Sequence, residues 1–563
     1  MNTILEKIQK NAYNNPDRIF YKVPRLEREK LKYDQITWKN LQLYSDKIAS
    51  YLIRHCKTKR PVVVIGHKSP YMPVSFIGCL KAGLAYVPVD ISYPEKRIKD
   101  IIDTVEPEIV ITTEQISFEI ERYYININNI HDIISSEEES VCDSENWVAD
   151  DDVCYIIFTS GSTGKPKGVQ ITSADLDNFV KWAATIGGDC LNTQSRQLAS
   201  TTYRRADNVK QPDDVSKFEK NRVFGRSGGG GETYINEDAH VFLNHAPFSF
   251  DLSVFDLYLT LYTGGTLFAI PGFVQQNMEL YLDCLQASDA DVWVSTPSSA
   301  ELALLDCRFK EDLLPDMRMF LFCGETLTAQ TARKLRRLFP DALVINTYGP
   351  TESTVAITSV EVTEDICEKY NPLPIGYVKP GTQVFIMNGE GEILPDGKKG
   401  EIVIAGNTVS IGYWKNPLKT QEVFNTIEYN GHRFYCYHTH DKGYYEDGML
   451  FYCGRIDLQI KLHGFRIELE DIESNILRIS GVERAVVLPD KRDDKIVSLT
   501  AYVVMKEKVQ SRIKARKYIR THLLESIPEY MVPRNYVFID SLPMTVNGKV
   551  DRKKLEGMKN VQS

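Results

Sequence analysis

The residues richest in chemistry lie in one string, Tyr155-Ile-Ile-Phe-Thr-Ser-Gly-Ser-Thr-Gly-Lys-Pro-Lys-Gly168. An apolar run of strand type leads into hydroxyls, glycines and lysines. Glycine lets backbone N–H groups approach an anion closely, the hydroxyls add donors, and the lysines add positive charge. A polyphosphate fits this chemistry, with Thr159, Ser160, Gly161, Ser162, Thr163, Gly164, Lys165 and Lys167 as candidate ligands. A shorter Gly/Ser run would read as a surface loop. The string is not a Walker A loop, which needs GxxxxGK[ST] opening a helix. Here the Gly161–Gly164 spacing is too short, and Pro166 stands where Ser or Thr is required.

Further strings follow in order. They are Leu80-Lys-Ala-Gly-Leu-Ala-Tyr-Val-Pro-Val-Asp90, Asn346-Thr-Tyr-Gly-Pro-Thr-Glu352, Gly400-Glu-Ile-Val-Ile-Ala-Gly406, Gly454-Arg-Ile-Asp-Leu-Gln-Ile-Lys461 and Asn547-Gly-Lys549. Together with the phosphate string they resemble, in register over nearly the whole chain, the adenylate-forming superfamily of acyl-CoA synthetases, luciferases and peptide-synthetase adenylation domains. The resemblance implies an α/β fold of adenylate-forming type: a large N-terminal domain of several subdomains and a small, mobile C-terminal α+β domain. It implies ATP and Mg²⁺ as cofactors. Tyr348 would stack on adenine, as its ring allows, with Gly324, Glu325, Asn346, Thr347, Gly349 and Thr351 around the nucleotide. Glu352 would hold Mg²⁺, which prefers carboxylate and phosphate oxygens. Asp441 would accept from the ribose hydroxyls with Arg455 beside it, and Asp457 would be the hinge. Lys549 and Arg455 would be catalytic. Attack of a carboxylate on the α-phosphate builds negative charge that a fixed ammonium stabilises. Alone, Lys549 would read as a solvated surface lysine; the register of the motifs overturns that. One departure stands out: the family's Tyr-Arg/Lys-Thr-Gly-Asp appears here as Tyr437-His-Thr-His-Asp441. If glycine there serves a left-handed backbone, His440 is costly but tolerable; the ring could also touch the nucleotide.

The substrate follows from His245-Ala-Pro-Phe-Ser-Phe-Asp-Leu-Ser-Val-Phe-Asp256. This resembles the superfamily's pocket motif, with Asp251 where amino-acid-activating members keep a carboxylate for the α-ammonium. A buried ammonium needs a charge partner. The bland alternative makes Asp251 the N-cap of a helix over Ser253–Thr263. Carried over position by position, the pocket is Asp251, Leu252, Phe255, Ser295, Leu321, Cys323, Thr347, Val355, Ala356 and Lys549. It is uncharged apart from Asp251 and Lys549, and Phe255 and Leu321 leave little room. The resemblance is nearest to the branch that activates D-alanine for a carrier protein, with L-alanine, glycine and serine left open. No phosphopantetheine serine motif occurs, so the acceptor thiol is expected on a separate carrier protein. The implied setting is teichoic acid D-alanylation in the cell wall; a nonribosomal peptide or related natural-product pathway is the alternative. An acyl-CoA ligase and a catalytically weak sensor are disfavoured by Asp251 and by the intact Lys549, Glu352 and phosphate string.

The elements that must position these residues read as two domains, since 563 residues exceed one core. With 43% hydrophobic and 25% charged residues, disordered, collagen-like and coiled-coil chains are excluded. A net charge of −9 gives no global basic field for nucleic acid. Eleven cysteines without CxxC spacing argue against a zinc ribbon and for a reducing cytoplasm. No signal peptide or membrane span is expected, and a monomer is. Short strands at Val62–Ile65, Ala85–Pro88, Ile109–Thr112 and Val153–Phe158 alternate with helical patterns such as Val74–Leu80. Thr172 and Asp175 form a capping-box pair. The stretch 187–236 loses all periodicity. It carries eight Arg/Lys against four Asp/Glu between Arg196 and Arg226 and reads as a flexible insertion. Residues 1–456 are expected to bind ATP and substrate. Residues 457–563 are expected to form the lid, with strands at Val482–Leu488 and Ile496–Val504 and a helix over Ser511–Ile527 stopped by Pro528.

Overall fold

The computed structural model describes residues 2–28, 30–136, 142–161, 165–188, 239–492, 495–507, 509–544 and 550–559. Of the insertion read at 187–236, only Gly187 and Gly188 fall within them. Ser162, Thr163, Gly164 and Lys549 also lie outside the described residues.

Two sheets with largely parallel cores form the large domain. The first runs Tyr124–Ile125, Val110–Thr112, Val62–Gly66, Tyr86–Asp90, Val153–Thr159, Lys167–Thr172. The second has nine strands, and its parallel centre is Leu343–Tyr348, Met319–Phe322, Val292–Ser295, Val241–Asn244 and Thr266–Ala269. Two of these strands, Val62–Gly66 and Met319–Phe322, carry no polar side chain and are buried at every position. A strand covered on both faces by helices has no polar face, so it reads as a continuous apolar run. A third, antiparallel sheet of five strands contains Gly400–Gly406, His432–Glu446 and Met449–Arg455.

The predicted elements appear with edges shifted by a few residues. The helix over Val74–Leu80 spans Tyr71–Lys81. The capping box is present: Asp175 N–H donates to Thr172 Oγ1, and Thr172 N–H to Asp175 Oδ2, both at 3.1 Å. The C-terminal domain has its own core, in which Ile467, Ile472, Val487, Val503, Ile519 and Leu523 are buried together. Its strands are Val482–Arg492 and Lys495–Met505, and its long helix is Arg512–Leu524, capped by Ser511. The helix ends sooner than the pattern indicated, before the Pro528 that marks its limit. A hairpin, Gln459–Leu462 with Phe465–Glu468, contributes Ile460, Leu462 and Ile467 to this core. No helix among the described residues is long and apolar enough to cross a membrane.

Lys81 shows how the first motif string is anchored. It has no exposed surface, and its ammonium donates to Asp46 at 2.7 Å and Ser45 at 2.9 Å on the neighbouring helix Trp38–His55. Removing one partner of a buried pair strands the other charge. Asp46→Ala is therefore expected to destabilise the large domain by about 3 kcal/mol. An unchanged urea-unfolding midpoint would contradict this.

Candidate active site

The candidate residues converge where the central strands of both parallel sheets end, which is where open α/β sheets place ligands. Val153–Thr159 delivers Ser160. Met319–Phe322 delivers Cys323, Gly324 and Glu325. Leu343–Tyr348 delivers Gly349, Thr351 and Glu352, and Val241–Asn244 leads into the loop that carries Asp251.

A small cavity of roughly 50 Å³ is lined by Asp251, Leu252, Cys323 and Val355 on one side and reaches Asp441, Arg455 and Arg466 on the other. Asp251 precedes the helix Leu252–Thr263 but makes no capping bond. Its carboxylate instead accepts from Thr351 Oγ1 at 2.6 Å. The bland reading of this residue therefore fails. Burial raises its affinity for a proton, and Thr351 and the Lys461 ammonium oppose the rise. A cation bound in the cavity would act in the same sense as Lys461. Cys323 is buried, and burial pushes its thiol up, so it is an apolar wall and not a thiolate. The remaining pocket candidates lie deeper. Phe255 packs edge-on against Phe179 at 5.1 Å, and Leu321 and Ala356 are core residues. Ser295 is bonded to Trp293 Nε1 and Thr296 O. These set the shape of the pocket from behind its wall.

A larger cavity of about 680 Å³ is bordered by Gly324, Glu325, Asn346, Thr347 and Tyr348, and it extends to Arg455 and Asp457. The Tyr348 hydroxyl donates to Asp441 at 2.5 Å. Arg455 donates to the other oxygen of Asp441 at 2.6 Å and grips Asp457 with two bonds, at 2.7 and 2.8 Å. One guanidinium thus joins the ribose candidate to the hinge candidate, and its carboxylate partners raise its pKa despite burial. His440, in the glycine position, has φ 57°. A non-glycine residue there costs on the order of 1 kcal/mol.

Glu352 has no exposed surface. It accepts from Arg466 Nη1 at 2.6 Å and Tyr413 OH at 2.8 Å, with Lys167 Nζ at 3.8 Å. Burial alone would raise its pKa, but Arg466 and Lys167 outweigh it and hold the carboxyl at about 2. Burial and the neighbouring Arg466 bring Lys167 down to about 8. Arg466 comes from the C-terminal hairpin. Ser160 Oγ donates to Arg466 O and accepts from Glu468 N–H, and Gly464 N–H donates to Glu325 at 2.6 Å. At Gly464, with φ 81°, a Cβ would lie 2.4 Å from Thr296. Phe465 lies between Phe250 and Tyr530. The sequence reading missed Arg466. The only available signal was a charged residue within the apolar alternation Phe465-Arg-Ile-Glu468. For Mg²⁺ the chemistry fits: Glu352 is an ionised, buried oxygen donor, and that ion commonly takes one carboxylate plus phosphate oxygens and water. Among the described residues no group of three or more His, Cys, Asp or Glu could hold a metal without such help. Arg466 occupies one carboxylate oxygen in this arrangement, and Tyr413 the other.

Comparison with known proteins gives a consistent set of relatives. The family model described as AMP-binding enzyme matches residues 8–203 and 221–414, and that of the AMP-binding enzyme C-terminal domain matches residues 471–549. D-alanine–D-alanyl carrier protein ligases from Bacillus cereus and Bacillus anthracis are 41% identical over 556 residues and 40% over 555 residues. Each alignment covers 98% of both chains. Among solved structures, an artificially fused adenylation–PCP di-domain from Klebsiella oxytoca has a TM-score of 0.74 at 20% identity, covering 99% of this chain and 96% of that one. The Vibrio cholerae adenylation domain AlmE, in complex with glycyl-adenosine-5'-phosphate, has a TM-score of 0.71 at 19% identity, covering 99% and 97%. At those identities the structural likeness speaks to the fold alone.

The Glu352 pairing has a pH signature. Its carboxyl is lowered to about 2 in the folded chain, against about 4.3 unfolded. The ion pairs therefore contribute stability fully above the unfolded value and lose it as pH falls toward the folded one. The difference in melting temperature between wild type and Glu352→Gln should shrink as pH drops from about 5 toward 3. A difference that stays constant with pH would contradict the pairing.

Proposed function

Because this chain belongs to the AMP-binding enzyme family and is an adenylate-forming ligase that uses ATP, we propose that it activates D-alanine as its adenylate. It then passes the aminoacyl group to the phosphopantetheine thiol of a separate carrier protein. The relatives that carry this name match end to end. The observation that most supports the reading is Asp251: a half-buried carboxylate, free of any capping bond, beside Cys323 and Val355 in one cavity.

On this reading Asp251 pairs with the substrate α-ammonium, a contact a fatty or aryl acid could not make. The cavity beyond it holds a methyl group. Tyr348 faces adenine and Asp441 the ribose hydroxyls. Glu352 would hold Mg²⁺, whose charge neutralises the polyphosphate. The substrate carboxylate attacks the α-phosphorus, the bond to the β-phosphate oxygen breaks, and pyrophosphate leaves. Lys549 stabilises the charge that builds on the α-phosphate and is the catalytic lysine of this half. Residues 457–563 then turn about Asp457 as a lid. The present arrangement, with Arg466 on Glu352 and the hairpin tip against Glu325, supports assigning this orientation to the thioester-forming half. The enzyme is read as a cytoplasmic monomer serving teichoic acid D-alanylation.

ATP–pyrophosphate exchange across D-alanine, L-alanine, glycine and serine tests the reading. D-alanine should give the highest kcat/KM, and no exchange with any amino acid would refute it. Lys549→Ala should slow adenylation at least about 100-fold, the scale of losing one preorganised charge-stabilising donor. Less than a threefold loss would remove it from the mechanism. Asp251→Ala should raise the amino-acid KM by about 100-fold, the cost of leaving a buried charge unpaired, with the ATP KM little changed. An equal rise in both would place Asp251 outside the substrate pocket.

A further inference from the structure

His440 departs from the family pattern, and the structure shows what accompanies the departure. The strand His432–Glu446 loses register against both neighbours around this residue, between Glu401 and Val403 on one side and between Asp441 and Gly443 on the other. At that irregularity His440 takes a left-handed backbone, φ 57°, and Asp441 turns inward to 1% exposure. The backbone is pinned at several points. His440 N–H donates to Glu401 Oε1 at 2.9 Å, and its carbonyl accepts from Ile456 N–H at 2.8 Å. Asp441 N–H donates to Thr439 Oγ1 at 2.9 Å, and Thr439 in turn donates to Ile402 O.

Glu401 is the only carboxylate among these contacts, and it is itself oriented. Its second oxygen lies 3.1 Å from His438 Nδ1. His438 Nε2 faces the Asn425 amide nitrogen at 2.9 Å, so Nε2 accepts and Nδ1 carries the hydrogen that Glu401 receives. His440 Nδ1 is 3.9 Å from Glu401 Oε1. Burial works to raise the Glu401 carboxyl, but these donors outweigh it and keep it ionised. An ionised acceptor holds an N–H more strongly than a neutral one.

We propose that Glu401 is a positioning residue for the nucleotide. By holding His440 N–H it keeps a non-glycine residue left-handed and so aims Asp441 at the ribose. The inference rests on the proposed role of Asp441. It also says why a residue with a Cβ can replace glycine here: the constraint glycine would meet by conformational freedom is met by a carboxylate from the adjacent strand.

A double-mutant cycle read by ATP–pyrophosphate exchange tests this. Glu401→Ala should raise the ATP KM about tenfold while the amino-acid KM stays within about twofold; a general structural defect would not divide in this way. Glu401→Gln keeps an oxygen acceptor and should cost less than about threefold. In a His440→Gly background, where the backbone needs no restraint, adding Glu401→Ala should also cost less than about threefold. An unchanged ATP KM in Glu401→Ala, or an equal penalty in both backgrounds, would overturn the inference. If Glu401→Ala alone does not fold, the double variant must still fold and keep an ATP KM near that of His440→Gly; its failure would likewise overturn the inference. Absence of exchange in the wild type would instead reject the functional reading.

Discussion

A carboxylate without exposed surface must have a cation beside it, and at Glu352 that requirement organises the crevice. Taking the group out of water costs several kcal/mol unless charge and hydrogen bonds compensate. Here the compensation comes from three places: Tyr413, Lys167 at the end of the phosphate string, and Arg466 on the C-terminal hairpin. The small domain is thereby attached to the large one through the residue that is also the metal candidate. Arg466 belongs to the same hairpin that contacts Ser160 and Glu325, so the partners of Glu352 reach both domains. Glu352, on the large domain, and Arg466, on the small one, therefore meet in one ion pair.

A second chain of charges runs along another route. Tyr348, at the end of a central strand, bonds Asp441. Asp441 bonds Arg455, and Arg455 grips Asp457. The adenine candidate, the ribose candidate and the hinge candidate are therefore joined through Arg455 in one partly buried network. Such networks resist independent movement of their parts, because each unpaired member would bear its own desolvation cost. At its far edge, Glu401 and the left-handed His440 set the bend that turns Asp441 inward.

Part of the fold was legible because several central strands are buried on both faces. The runs Val62–Ile65 and Val153–Phe158 appear as the strands Val62–Gly66 and Val153–Thr159, and the Thr172–Asp175 capping box appears where its spacing placed it. Element ends were less legible. Hydrophobic period follows the buried face, whereas the last turn depends on local caps and backbone bonds, as in the helix that stops at Leu524. The pocket candidates separate in the structure into two groups. Asp251 and Cys323 line it, while Phe255 and Leu321 shape it from behind. One-dimensional transfer cannot separate a wall residue from the residue that supports it, since the two differ only in which way they face.

The sequence by itself determined the chemistry available: a hydroxyl- and lysine-rich anion loop, a lone Asp251 in an apolar setting, Glu352 after a strand, and a histidine in a glycine position. These are properties of residue type and short spacing, which survive without a fold. Only the tertiary structure decided which charges meet. Glu352 and Arg466 are separated by more than a hundred residues, as the spacing of 114 records. Glu401 and His440 lie 39 apart on neighbouring strands. Ion pairs and strand bonds at such distances depend on sheet register and on the docking of one domain on another. Neither leaves a periodic trace in the chain, because the attraction between two charges depends on their separation in space and on the dielectric around them, not on their separation in sequence.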